Sequence, residues 1–470
     1  MSADLTEPSA ADPRQRADLL ADETVARILG AWDDGTPAGI SPLSRWDALA
    51  ATQRALGGWD SNGALDTWQA DAATPAPIAQ ALQDYLRQAR RLPQWIDPGK
   101  IGCAEAVFAR IGMLAPTLLA CASLLEADVA VDPLAQPLDE RVRAAAALQC
   151  AALLGGGLLD PSGAGVAQVL KLRLANAIAR NLVVRGNPSE ALAHGAAIPA
   201  LRPEGADRWR TLFARGWDLR TNGLPRNQEE LAYALLTHHY VFLRSLRRLG
   251  LGLNRQEEGA WLHAWNVVGH LLGIEEPLLP ATMKEAEALF ARLQQNAAAL
   301  AGARYAAPGV VRYVTRADPR PALAAELMRA LGDEIGSRIR KPWPLLLARR
   351  LCGPATTQTL GLDGQAGRSA RLLFALAMGI ARAIDTPARL LAPGLSMRCL
   401  GVRILGYRLA RRYLIDPARP LDLPEALLRQ VDAAVRDWET DPAAPRWVNA
   451  IERRFRPQRV LRTGHEAAPC

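Results

Sequence analysis

LPRNQEELAYALLTHHYVFLRSLRRLGLG, residues 224–252, decides the fold class. Asn227 stands three residues ahead of Glu230, the spacing of a capping box, and Leu231, Leu235, Phe242, Leu246 and Leu249 recur at helical intervals until Gly250 stops the pattern. A stripe of that period with a marked start and stop predicts a buried helix. The next segment, GAWLHAWNVVGHLLGI (259–274), repeats the pattern: Trp261, Leu262, Trp265, Val268 and Leu272 make one stripe, and His263, Asn266, Val267 and His270 a more polar one. Elsewhere period-two alternation is nearly absent, and the alanine, leucine and arginine content favours helix. These readings predict an all-α fold: a multi-helix bundle, globin-like in size, around an apolar cofactor or ligand pocket, with little or no β structure. Helices are expected at 165–185, 228–249 and 258–272.

Outward from that core, the 470 residues, 49% hydrophobic and 22% charged, give an ordinary globular composition with ample material for a large core. Residues 1–75, with Trp32, Trp46, Trp59 and Trp68 among Gly/Asp/Pro turns, read as an irregular, partly helical N-terminal cap. Residues 76–345 read as the helical core and 346–470 as a basic C-terminal helical region and tail. LLGGGLLDPSGAGV (153–166) is a loop whose glycines lack the preceding strand and following GK[ST] of a phosphate loop. Cys103, Cys121, Cys150, Cys352, Cys399 and Cys470 are scattered without metal-like or disulfide-framework spacing. MSADLTEPSAADPRQR has no signal-peptide pattern, and the apolar run LLFALAMGIARAI (372–384), broken by Arg382, is shorter than the roughly 20 residues of a membrane span. A cytoplasmic protein without a transmembrane span is expected.

The net charge of +8 is concentrated: between Arg368 and Arg412 nine arginines face one acid, Asp385. A basic amphipathic stretch of this kind suits peripheral contact with an anionic membrane. It lacks interleaved aromatics and any nucleic-acid-binding motif, so no nucleic-acid partner is expected.

The helix KLRLANAIAR (171–180) places Arg173, Asn176 and Arg180 on one side, an amide between two guanidiniums. Guanidinium forks match carboxylates, so these arginines suit cofactor propionates or local acids. Four pieces, LPQWIDPGK (92–100), this arginine-flanked helix, the 224–252 element and WLHAWNVVGHLLGIEEPLLP (261–280), follow in an order that resembles the catalytic domain shared by rubber oxygenases (latex clearing proteins) and fungal mpaB oxygenases, over roughly residues 90–300. The resemblance implies an all-helical fold holding a b-type haem between helices. It further implies dioxygen chemistry: cleavage of carbon–carbon double bonds or oxidation of lipid-like substrates.

In that family the helix reads R-x-x-H-A-x-x-R, with the histidine as axial iron ligand. Here Asn176 holds that position, and an amide is a poor ligand for haem iron. The family's distal arginine with a following lysine–threonine pair corresponds to RVRAAAALQC (141–150), which offers Arg141 or Arg143 followed by alanines, Arg143 being the candidate catalytic group. A substitute iron ligand is expected at His194 first, then His238 or His239, the last two about 100° apart on their helix. His263 and His270 are too far apart to chelate one ion and are expected to pack. Two function classes follow: a haem-dependent oxygenase or oxidoreductase acting on an apolar substrate, or a haem-free relative that binds a lipid-like ligand or a partner protein.

Overall fold

The computed structural model describes residues 13–30, 44–122, 138–186, 223–305, 320–333, 340–391, 409–415 and 421–438, with a few positions between 209 and 219 and at 335 and 450. Within them the chain is helical and contains no strand, as the period-3.6 patterning predicts. The first half supplies α1 (Leu19–Leu29), α2 (Arg45–Gly57), α3 (Asn62–Thr67), α4 (Ala76–Ala89), α5 (Pro98–Ile111) and α6 (Ala115–Ala122). It continues through α7 (Leu138–Leu153) and α8 (Gly165–Val184). The 224–252 element becomes α9 (Gln228–Leu236), a π-helical turn (Thr237–Val241) and α10 (Phe242–Leu249); α11 (Arg255–Leu271) and α12 (Met283–Tyr305) follow. The remainder is α13 (Arg320–Asp333), α14 (Trp343–Cys352), α15 (Pro354–Thr359), α16 (Arg368–Leu391) and α17 (Glu425–Asp437).

The packing follows the apolar stripes. α11 lies along α5 and also touches α8, α1 lies against both α4 and α8, and α6 is covered by α7, α10 and α14. Trp59, Tyr85, Phe108, Phe242, Trp261 and Trp265 are fully buried. Trp59 stacks on Tyr85 at 6.2 Å, and Phe242 stacks on Trp261 at 4.7 Å, geometries that add specific stabilisation to their large buried area. Pro98–Ala122 is apolar and long enough to cross a bilayer, with a mean hydropathy of 1.4 in its best window. Most of that window is buried inside the protein, and a 3-10 turn at Gly112–Leu114 interrupts it, which fits a core helix pair.

One local expectation is corrected. Asn227 does cap α9 by accepting from the Glu230 N–H at 3.0 Å, but Glu230 reaches back to the N–H of Arg226, not of Asn227. Arg226 has a positive φ of 57°, which carries its N–H into that position. The complete capping box belongs to α11, where Asn254 and Glu257 satisfy each other's backbone groups.

The glycine loop serves the fold through backbone contact. Gly63 and Asn62 donate their N–H groups to Pro161 O and Gly163 O, and the Asn62 amide donates to Gly157 O and Asp160 O. Its Oδ1 accepts from Val166 N at 3.0 Å, so α8, whose own N-cap residue Ala164 offers no side chain, is capped by a residue one hundred positions upstream. A Cβ at Gly165 would stand 2.5 Å from Gly157 O and 2.8 Å from Ala151 O, both backbone atoms that cannot swing away.

Gly165→Ala is therefore expected to lower unfolding free energy by about 2–4 kcal/mol in urea titration, because a whole loop must shift. Gly102→Ala, in the interior of α5 with nothing within 4 Å of the added carbon, is expected to be neutral or to stabilise by up to about 1 kcal/mol.

Candidate functional site

The α8 stripe faces α1. Arg173 is buried and holds the Asp18 carboxylate in a two-pronged pair, Nη2 to Oδ1 at 2.7 Å and Nε to Oδ2. Its Nη1 also donates to Leu271 O at the C-terminal end of α11, where the helix dipole favours a cation. Burial works against this charge, but the hydrogen bond and the charge of Asp18 outweigh it and hold the guanidinium above its ordinary pKa. Two turns along, buried Arg180 donates from Nε to Asp22 at 2.9 and 3.1 Å and from Nη1 to the carbonyls of Pro225 and Arg226. Burial pushes the Asp22 carboxyl above its usual value, and the attraction of Arg180 only partly offsets it.

Asn176, between them, is half-buried, and its side chain makes no hydrogen bond among the described residues. Gly273, at φ 79°, closes over the first pair: a side chain there would meet the Asp18 carboxylate at 2.7 Å and Arg173 Nε at 2.9 Å. Gln228 ties the same corner together, donating to Ala17 O and Gly273 O and accepting from Glu275 N.

The other candidates lie elsewhere. His238 and His239 sit in the π-helical turn between α9 and α10, a wider turn that arises from one inserted residue and recurs at functional sites. The His238 ring stacks on Trp265 at 4.6 Å, and the His238 carbonyl accepts from the Trp261 indole N–H at 3.2 Å. His239 is fully buried. Its Nδ1 accepts from the Tyr240 N–H at 2.7 Å, which leaves the proton of the neutral ring on Nε2. That Nε2–H finds no acceptor among the described residues. Burial, with a smaller contribution from His238, depresses the His239 pKa to about 3, so the ring is neutral at physiological pH.

His263 accepts from the Asp97 N–H at 2.9 Å, His270 Nε2 lies 3.3 Å from Arg91 O, and both rings stand edge-on to Trp95, so this pair packs as the sequence suggests. Arg143 is half-buried on α7. His194 lies outside the described residues. No group of three or more His, Cys, Asp or Glu side chains suited to a metal ion occurs among the described residues.

The structure thus brings Arg173 and Arg180 to the carboxylates of Asp18 and Asp22, residues the sequence reading passed over, and sets the histidine pair on a separate turn against α11. The signal was present as two acids four residues apart at the start of α1, opposite arginines seven apart on α8. The π-helical turn had no such signal, because one inserted residue leaves the apolar stripe nearly unchanged.

Helical layers around buried aromatics, an internally paired arginine helix and a π-helical histidine turn make this an all-α protein among the described residues. Residues 182–383 match the family described as ER-bound oxygenase mpaB/B'/Rubber oxygenase, catalytic domain. The chain is 25% identical over 406 residues to the rubber oxygenase of Streptomyces sp. (strain K30), spanning 78% of this chain and 93% of that one. Its fold is similar to the closed state of the latex clearing protein LCP, with a TM-score of 0.54, 18% identity and 92% of each chain covered. The chain is thus similar to this oxygenase family over residues 182–383 and shares the fold of a latex clearing protein. The matched segment begins just after the Arg173–Asn176–Arg180 stripe.

The α8 residues do not fit a haem held in the family's manner: Asn176 supplies no nitrogen lone pair, and both flanking guanidiniums are consumed by carboxylates of the chain itself. Asp18→Ala, which strands a buried cation, is expected to cost about 3–5 kcal/mol in urea-induced unfolding, against less than about 1 kcal/mol for Asp66→Ala, whose pair with Arg90 is largely exposed.

His239 also fixes a pH dependence. Its pKa is lower in the fold than in the unfolded chain, so its contribution to stability is complete above its ordinary value of 6.5 and is lost as pH falls from there toward 3. Burial lowers His263 and His270 as well, giving a background of the same sign. Between pH 7 and pH 5 His239 alone is expected to remove about 2 kcal/mol of unfolding free energy. In His239→Leu the drop between the two pH values should be smaller by that amount, measured from urea midpoints.

Proposed function

We propose that this chain uses the helical fold it shares with the oxygenases it resembles to hold an apolar, lipid-like ligand carrying an oxygen acceptor, and that it does so without haem. One observation carries the reading: the His239 Nε2–H is a fully buried donor with no acceptor among the described residues, on a π-helical turn whose neighbouring His238 stacks on Trp265 and whose following Phe242 stacks on Trp261. A donor left unmet in the interior costs about 1–3 kcal/mol, and a ligand carbonyl or hydroxyl recovers that cost. The neutral ring suits the task, because it donates a hydrogen bond without bringing a charge into an apolar surrounding. The aromatic wall supplies apolar contact, and the backbone of Tyr240 locks the tautomer that points the proton outward from Nδ1 to Nε2. The α8 arginines serve in this reading as structural ties and not as cofactor clamps.

A second reading, a haem-dependent oxygenase acting on an apolar substrate, draws support from the likeness to the rubber oxygenase and from the same neutral, buried imidazole. It requires Nε2 to give up its proton and Nδ1 to carry one, which places a donor against the Tyr240 N–H. It otherwise requires His194 or His238 as ligand.

Titration of intrinsic tryptophan fluorescence with a long-chain ketone and with the alkane of the same length tests the donor directly. The ketone is expected to bind about tenfold more tightly than the alkane, and the gap should close in His239→Leu while alkane binding persists. Equal affinity for both probes in the wild-type chain, or a ketone preference unchanged in His239→Leu, contradicts the proposal.

A further inference from the structure

α16 departs from the pattern of every helix that builds the core. Nine large apolar side chains are markedly exposed among the described residues, and four of them lie on this one helix: Leu372 at 72%, Leu376 at 55%, Ile380 at 49% and Leu373 at 38%. At about 100° per residue these four fall within a sector of about 100°, a single stripe roughly 12 Å long. The helix is fixed to the protein from another side: Ala370 is buried, and Phe374 meets Trp343 of α14 edge-on at 5.7 Å, with Met378 packed beside it. Docking through Phe374 therefore holds the leucine stripe outward.

Charge selects the partner. Arg368 and Arg371 are exposed at the start of α16, and the sequence contains no acid between Asp363 and Asp385, while Arg382 adds a third positive charge to the segment. Asp363 itself is paired with Arg349. An apolar stripe with arginines alongside and no acid on its helix before Asp385, beyond the stripe, is the composition of a segment that lies in the plane of a membrane interface, leucines among the upper acyl chains and guanidiniums at the headgroups. A face that pairs two copies of a soluble chain gains nothing from an uncompensated row of like charges brought together across a dyad.

We propose that α16 is a peripheral docking surface for an anionic lipid bilayer, with Leu372, Leu373, Leu376 and Ile380 inserting and Arg368 and Arg371 meeting lipid phosphates. The surface is independent of the His239 reading and stands whether or not that reading holds.

Co-sedimentation of the full chain with phosphatidylcholine vesicles and with vesicles containing phosphatidylserine tests it, at low and at high salt. The wild-type chain is expected to pellet with the phosphatidylserine vesicles at low salt and to be partly released as salt screens the attraction. The exposed-site variants Leu372→Glu/Leu376→Glu and Arg368→Gln/Arg371→Gln should each weaken the partition about tenfold or more, with unchanged circular dichroism. Equal recovery with both vesicle types, or undiminished binding by the glutamate variant, overturns the proposal. Light scattering that shows a dimer dissolved by Leu372→Glu/Leu376→Glu, with no vesicle binding by the wild-type chain, overturns it in favour of a second copy.

Discussion

The structure depends on two carboxylates of the first long helix being drawn into the interior. Asp18 and Asp22 are where buried Arg173 and Arg180 discharge their positive charge, and neither arginine could remain in the core without them. Around that constraint the surrounding choices become intelligible. α1 must lie against α8, so the N-terminal region is part of the packed body; Gly273 must lack a side chain because the Asp18–Arg173 pair occupies the space; and Gln228 ties the start of α9 to the backbone on either side of that pair. The ends of α1, α9 and α11 thus meet at one polar knot set into an otherwise apolar protein.

That knot bears directly on function. An arginine-flanked helix invites a reading in which the guanidiniums wait for an anionic cofactor, and the family resemblance strengthens it. The geometry assigns them to internal carboxylates and to carbonyl groups, while Asn176 stands between them without a hydrogen-bond partner among the described residues. One of the deeply buried unmet polar groups lies instead on the π-helical turn, at His239, beside the unmet Trp265 indole N–H of α11. The likeness to the oxygenases therefore concerns the fold, and the chain's own residues decide what is done with it.

Much of the fold was legible in the sequence because helix-forming signals are local. The stripes of 224–252 and 259–274, the asparagine caps and Gly250 act over a few residues, and the helices appear where those signals stand. The extra residue at Thr237–Val241 was not legible, since a π-helical turn preserves the apolar stripe on both sides and announces itself only through the backbone. The partners of Arg173 and Arg180 were illegible for a different reason: they are 155 and 158 residues away in sequence, and long-range pairing leaves no periodic trace. The same holds for Asn62, whose side chain caps α8 from 104 residues upstream, and for the glycines of 153–166, which the sequence marks as a loop without showing their role in close backbone approach. The exposed stripe of α16 was foreshadowed by its arginines, but which leucines face outward follows only from where Phe374 docks.

The most direct measurement of the central claim is the haem content of the full chain, read as Soret absorption and pyridine haemochrome yield per polypeptide after expression with a haem precursor in the medium. A chain whose arginines are internally paired and whose ligand position is Asn176 is expected to purify with haem far below one equivalent per polypeptide and without a Soret band in proportion to protein. One haem per chain, retained through gel filtration, would contradict the account and return the buried histidines to the role of iron ligands.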